Sequence, residues 1–205
     1  AYDSAGQVVA TATSPTIRIG NSLVINEIGW RGTSATDTRE WIELYNNGPR
    51  ELSLNDFAIR DGDGNTVVQL SGTISVRSYY LIERGDDTVV SDVSANLISD
   101  FSKSADEDAI FDAEFYLELT RQTGDGEKVF DRTPSNFNPR VYCKNDEECL
   151  SLYQSAERYF PENLGDDLRN WDIGDDGWSN GLNSEELKIH GTPGQRNGHN
   201  RVFQV

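Results

Sequence analysis

Nearly every apolar segment of this chain is short, rich in Val, Ile, Tyr, Phe or Trp, and closed off by Gly, Asn, Asp or Pro. β-Branched and aromatic residues suit a pleated, half-buried surface, and the closing residues supply turns, so the punctuation predicts an all-β chain. Expected strands cover residues 8–12, 16–19, 23–30, 40–46, 57–60, 66–70, 79–83, 109–111, 115–121 and 128–131. In Trp41-Ile42-Glu43-Leu44-Tyr45, alternation sends Ile42 and Leu44 to one face and Trp41, Glu43 and Tyr45 to the other. Both faces carry apolar mass, so both are expected to be partly covered. The stretch from Glu147 to Phe160 stays open between a short helix and an irregular insertion. No unit of roughly 20 to 50 residues recurs, which excludes a repeat array or propeller.

Acidic residues outnumber basic ones 35 to 18, a net charge of −17 over 205 residues. That field repels phosphate backbones and anionic headgroups, so neither nucleic acid nor a membrane surface is an expected partner. No stretch reaches the roughly 18 apolar residues that cross a bilayer, so direct membrane insertion is not expected. The sequence starts Ala1-Tyr2-Asp3 and contains no Met, from which we expect a processed product with its signal peptide removed. Cys143 and Cys149 share one polar segment whose length lets their Cα atoms approach bridging distance. We read them as one local disulfide pinning an insertion at about residues 141–170, and place the protein outside the cell or at its surface. Two free thiols in a reducing compartment are the alternative.

Asp61-Gly62-Asp63-Gly64-Asn65 opens like a calcium loop, but Thr66 and Gly72 stand where such a loop needs glycine and a bidentate glutamate. A hairpin turn is the expectation there. No cofactor is otherwise expected; the candidate calcium set is Asp166, Asp167, Asp172, Asp175 and Asp176, around Trp171 and Trp178, the two candidates for stacking a ligand. Glu27 and Glu43 each fall inside an expected strand, where a carboxylate needs solvent, a cation or an Arg such as Arg158 or Arg39. We read them as structural, not as a glycosidase pair. His190 and His199 lie in a glycine-rich closing region without a base-orienting context and are expected at the surface, and no nucleophile elbow, Walker loop or zinc-protease helix is present. No catalytic residue is expected.

Several pieces, in order, resemble a known family. They are Val24-Ile25-Asn26-Glu27-Ile28, Glu40-Trp41-Ile42-Glu43-Leu44-Tyr45-Asn46, Leu52-Ser53-Leu54 with Phe57, and Asp61-Gly62-Asp63-Gly64. Then come Leu70-Ser71-Gly72-Thr73-Ile74, Tyr79-Tyr80-Leu81-Ile82-Glu83, Tyr116-Leu117-Glu118-Leu119, Ala156-Glu157-Arg158 ahead of Trp171, and a closing Gly191-Thr192-Pro193-Gly194 with Asn197. Over residues 23–197 the chain resembles the lamin tail domain, in its microbial exported or surface form. The resemblance implies an immunoglobulin-like β-sandwich without catalytic residues. The sequence departs from the family's pattern at Ser104-Ala105-Asp106-Glu107-Asp108, in the cysteine loop, and at both ends. Residues 1–22 read as an N-terminal strand extension and 198–205 as a C-terminal one. Val8, Val9, Ile17, Ile19, Val202 and Phe203 are the candidates for strand exchange between copies, which would build a homo-oligomer or filament. The expected function is a non-enzymatic structural or adhesive module. The alternative is a module that binds a surface glycan or protein ligand, with calcium as its candidate cofactor.

Overall fold

In the computed structural model the described residues are 22–30, 39–101, 115–142, 153–174 and 179–198. The expected strands at 8–12, 16–19 and 109–111 lie outside them, as do Cys143, Cys149, Asp175, Asp176, Trp178, His199 and all six strand-exchange candidates. Among the described residues there is no α-helix. Among them no helix is long and apolar enough to cross a membrane.

The described residues form twelve strands: β1 (Leu23–Gly29), β2 (Trp41–Asn46), β3 (Leu52–Ser53), β4 (Phe57–Asp61), β5 (Thr66–Gln69), β6 (Thr73–Ile74), β7 (Tyr79–Arg84), β8 (Leu97–Ser99), β9 (Leu117–Thr123), β10 (Gly126–Arg132), β11 (Ala156–Arg158) and β12 (Trp171–Ile173). They form a six-stranded sheet, β12-β11-β1-β2-β7-β8, a four-stranded sheet, β10-β9-β4-β5, and a two-stranded ladder, β3-β6. All pairings are antiparallel except β7 with β8. The Asp61–Asn65 segment is a hairpin turn, as expected: Asp61 Oδ1 accepts from the Asp63 and Asn65 amides at 3.0 and 2.9 Å. Gly64 supplies the positive φ the turn requires, at 83°.

Period-two alternation places the inner faces of the two large sheets against each other. Ile25, Ile28, Ile42, Leu44 and Ile82 from the first meet Phe57, Ile59, Val68, Leu117 and Leu119 from the second in one buried core. A β-bulge between Val129 and Asp131 turns two successive residues inward. Phe130 packs edge-on against Phe57, with ring centroids 5.1 Å apart. Asp131 meets Arg158 of β11, Nη1 to Oδ2 2.6 Å, in an ion pair buried between the sheets. Arg158 also donates to the Ile25 carbonyl at 3.0 Å and the Asn163 carbonyl at 2.5 Å.

The outer face of the six-stranded sheet is covered as well, as the alternation of Trp41, Glu43 and Tyr45 requires. Trp41 and Leu81 pack with Val89, Val90 and Ile189 in a second, smaller apolar cluster. Glu83 accepts from the Val89 and Val90 amides at 2.9 and 3.2 Å, which ties the segment after β7 onto that face. Two expectations are corrected here. Part of the segment expected as an insertion supplies β11, which pairs with β1 inside the large sheet. His190, expected at the surface, is buried, and its carbonyl accepts from the Ser155 amide at 3.0 Å.

Candidate functional site: a buried carboxylate row and the cavity beside it

Sheet register, rather than sequence proximity, assembles the most unusual chemistry in the molecule. Glu27 of β1 stands directly opposite Glu43 of β2 on one side and Glu157 of β11 on the other. Glu157 in turn stands opposite Asp172 of β12. Four acidic residues thus form one row across four adjacent strands, on the outer face. Glu27, Glu43 and Glu157 are completely buried. Like charges in directly opposed positions are destabilising, and an ionised carboxylate without water is costly, so the row needs compensation.

The compensation comes from the closing segment. Glu27 Oε1 accepts from Ser155 Oγ at 2.5 Å and from the Thr192 amide at 2.7 Å. Glu43 Oε2 accepts from the Gly194 amide at 2.5 Å, and its Oε1 from Asn26 Nδ2 at 2.8 Å. Glu157 Oε2 accepts from the Gly198 amide at 2.9 Å. Asn197 adds a further tie, donating to the carbonyls of Asn26 and Arg158 at 3.0 and 2.9 Å. The glutamates therefore hold the Gly-Thr-Pro-Gly loop by its backbone. Gly191 is required by this closeness, since a Cβ there would lie 2.5 Å from Glu27 Oε1. A bulge between Ile25 and Glu27 gives Asn26 its place between Glu43 and Asn197.

The surroundings of the row favour bound protons. Thr192 Oγ1 lies 3.1 Å from Glu27 Oε2 and 3.3 Å from Glu157 Oε1. A hydroxyl has one proton to give, so both contacts are satisfied only when one of the two carboxyls is protonated and donates back. Burial pushes Glu27 well above the ordinary carboxylate range, with Glu157 and Glu43 adding repulsion. Burial likewise pushes Glu43 up to about 8, against the hydrogen bonds from Gly194 and Asn26 that favour its charge. Glu83, further along the sheet, is raised by burial to about 7.

The arginines expected to neutralise Glu27 and Glu43 are elsewhere. Arg158 faces the inner core and pairs with Asp131, because it follows Glu157 on the strand and so points to the opposite face. Arg39 pairs with Asp86. Trp171, expected to stack a ligand, is 1% exposed, packs against Phe137 at 5.0 Å, and donates its indole N–H to the Gly165 carbonyl at 2.7 Å. It is a core residue. Of the expected calcium set, Asp172 accepts from the Tyr159 hydroxyl, Asp167 caps a short 3-10 turn and is paired with Arg169 at 2.8 Å, and Asp166 is exposed. Arg169 beside it holds the Asp167 carboxyl below its ordinary range. Among the described residues no three His, Cys, Asp or Glu are placed to hold a metal ion.

Beside the row a cavity of about 260 Å³ opens to solvent. Its walls are the Tyr45–Tyr79 pair, directly opposed on β2 and β7 with ring centroids 4.9 Å apart, and Phe160 after β11. Arg77 and Arg196 line it from the β6–β7 turn and the closing loop, and Asn26 and Asn197 connect it to the carboxylate row. Burial, with Glu43 behind it, pushes the Tyr79 phenol up, while Arg196 acts the other way. Neither Glu157 nor this cavity was among the site residues expected from sequence.

A family model for the Lamin Tail Domain matches residues 19–133. No curated protein and no solved structure matches the chain. The matched stretch holds β1 to β10 and exceeds half the chain, and it includes the paired Glu27 and Glu43 strands; β11 and the closing loop follow it in sequence but complete the same face. With its two-sheet immunoglobulin-like sandwich and this match, the chain belongs to the lamin tail domain family.

Proposed function

We propose that this domain is a non-catalytic structural or adhesive module that works outside the cell, in which terminal strands join one copy to the next. The observation that carries the non-catalytic reading is the use of Glu27 and Glu43. These are the two carboxylates a hydrolase would draw on, yet they are fully buried and occupied by the domain's own amides and hydroxyls. A general acid or nucleophile must reach a substrate atom, and these face a backbone loop. Assembly is supported by the sheet ends. Among the described residues β10 and β5 are the outer strands of the four-stranded sheet, and outer strands present backbone groups to a further strand.

The test is molar mass by light scattering of the full chain beside a version lacking residues 1–20, with circular dichroism to show that both are folded. We expect the full chain to form dimers or larger species and the shortened one to run as a monomer. Identical monomers would remove strand exchange from the account, and turnover of an ester, phosphate or glycan lost in Glu43→Gln would remove the non-catalytic reading.

The cavity walled by Tyr45, Tyr79 and Phe160 favours a second reading, a module that binds a small surface ligand. Concave sites with aromatic walls and a few convergent polar groups are where such ligands bind.

A further inference from the structure

The cavity beside the carboxylate row has a charge opposite to that of the protein around it. The chain carries 35 acidic and 18 basic side chains, yet two guanidiniums, Arg77 and Arg196, line this one concavity with a single carboxylate, Glu162. Burial raises the pKa of Glu27 and Glu43 behind it, which favours their neutral forms. Arg77 sits on the β6–β7 turn with a φ of 54° and is held by a hydrogen bond to Asn47 Oδ1. That bond engages one of its five N–H donors. Arg196 projects from the loop that the buried glutamates fix in place.

We propose that this cavity binds one carboxylate-bearing sugar ring, a uronate, at the end or along the length of an acidic polysaccharide. The proposal rests on the ligand-binding reading and gives it a site and a ligand class. Three features select that class. Guanidinium groups recognise a carboxylate through paired N–H donors. Aromatic faces at Tyr45, Tyr79 and Phe160 offer flat apolar surface to the C–H face of a ring. Asn47 and Glu162 supply acceptors for ring hydroxyls, a role that a bare sulfate ion, with no hydroxyl, would leave unmet at Glu162. The volume of about 260 Å³ lies just under the ~300 Å³ lower end of small-ligand pockets and suits one ring rather than a disaccharide.

The experiment is calorimetric titration of the full chain, in EDTA, with oligomers of galacturonate and of glucuronate, beside galactose and glucose oligomers. The chelator removes calcium bridging to acidic loops as a source of signal. We expect a uronate series to bind at least tenfold more tightly than its neutral counterpart. Arg196→Gln and Arg77→Gln, both at exposed positions, should each weaken it about tenfold while circular dichroism stays unchanged. Equal binding of neutral and acidic oligomers would overturn the uronate assignment while leaving the ligand-binding reading in place. Uronate binding that neither Arg variant weakens would overturn this site. Silence with all four series would overturn the proposal and the ligand-binding reading together.

Discussion

Glu27→Ala is expected to destabilise the domain by about 3 kcal/mol or more, whereas Glu27→Gln is expected to be nearly neutral at pH 5. Alanine leaves the Thr192 amide buried without an acceptor and the Ser155 hydroxyl with only the His190 carbonyl at 3.5 Å, and each such loss costs about 1–3 kcal/mol. Glutamine reproduces the protonated carboxyl. Its Oε1 can accept from Ser155 and the Thr192 amide, and its Nε2 can donate to Thr192 Oγ1, whose own proton then serves Glu157. Urea unfolding measures both variants. Hydrogen exchange at the Thr192, Gly194 and Gly198 amides should show in Glu27→Ala that the closing loop loosens before the core does. A similar loss in both variants would mean that Glu27 works as a charge.

Arg158→Met is expected to cost about 3–5 kcal/mol, because it leaves a buried carboxylate without its cation. Asp131 is 5% exposed, and burial already raises its pKa against the stabilising charge and hydrogen bonds of Arg158. The substitution also removes donors from the Ile25 and Asn163 carbonyls. Adding Asp131→Asn should recover part of the loss, since a neutral amide oxygen can still accept from the Ile25 amide, which reaches Asp131 Oδ2 at 2.9 Å. Urea midpoints of the two single variants and the double variant give the coupling directly. An additive double variant would mean that the two groups stabilise the sandwich independently.

These two buried networks show where sequence reasoning succeeds and where it stops. Seven of the expected strands appear with ends shifted by a few residues, because β-branched and aromatic alternation is a local property. β3, β6, β8 and β12 are two or three residues long, too short to show a period, and exist because neighbouring strands offer them partners. Glu27 and Glu43 were visible as carboxylates in strand positions. Their alignment was not, because register depends on pairing and on the bulge at Asn26. Ala156-Glu157-Arg158 carried the missing signal. As a strand it sends Glu157 outward to the row and Arg158 inward to Asp131, but its polar surroundings in residues 143–170 suggested an insertion. Trp171 misled for the same reason: the acidic loop around it hid a short strand whose indole faces the core.

Three buried glutamates hold the closing loop, and burial raises the pKa of two of them, Glu27 and Glu43, favouring their protonated forms. A carboxyl whose pKa is raised on folding keeps protons that the unfolded chain has already released. For Glu43 this window runs from the ordinary value of 4.5 to about 8, and for Glu83 from 4.5 to about 7. Their contribution is complete below about 4.5 and is lost as the pH rises through the window. Each unit of raised pKa corresponds to about 1.4 kcal/mol. The most direct measurement is the unfolding free energy in urea at half-unit steps from pH 5 to 9, for the natural chain and for Glu43→Gln. The account predicts stability that falls steadily across this range in the natural chain and a distinctly shallower fall in the variant. Stability that is flat or rises with pH in the natural chain, or an equal slope in the variant, would contradict it.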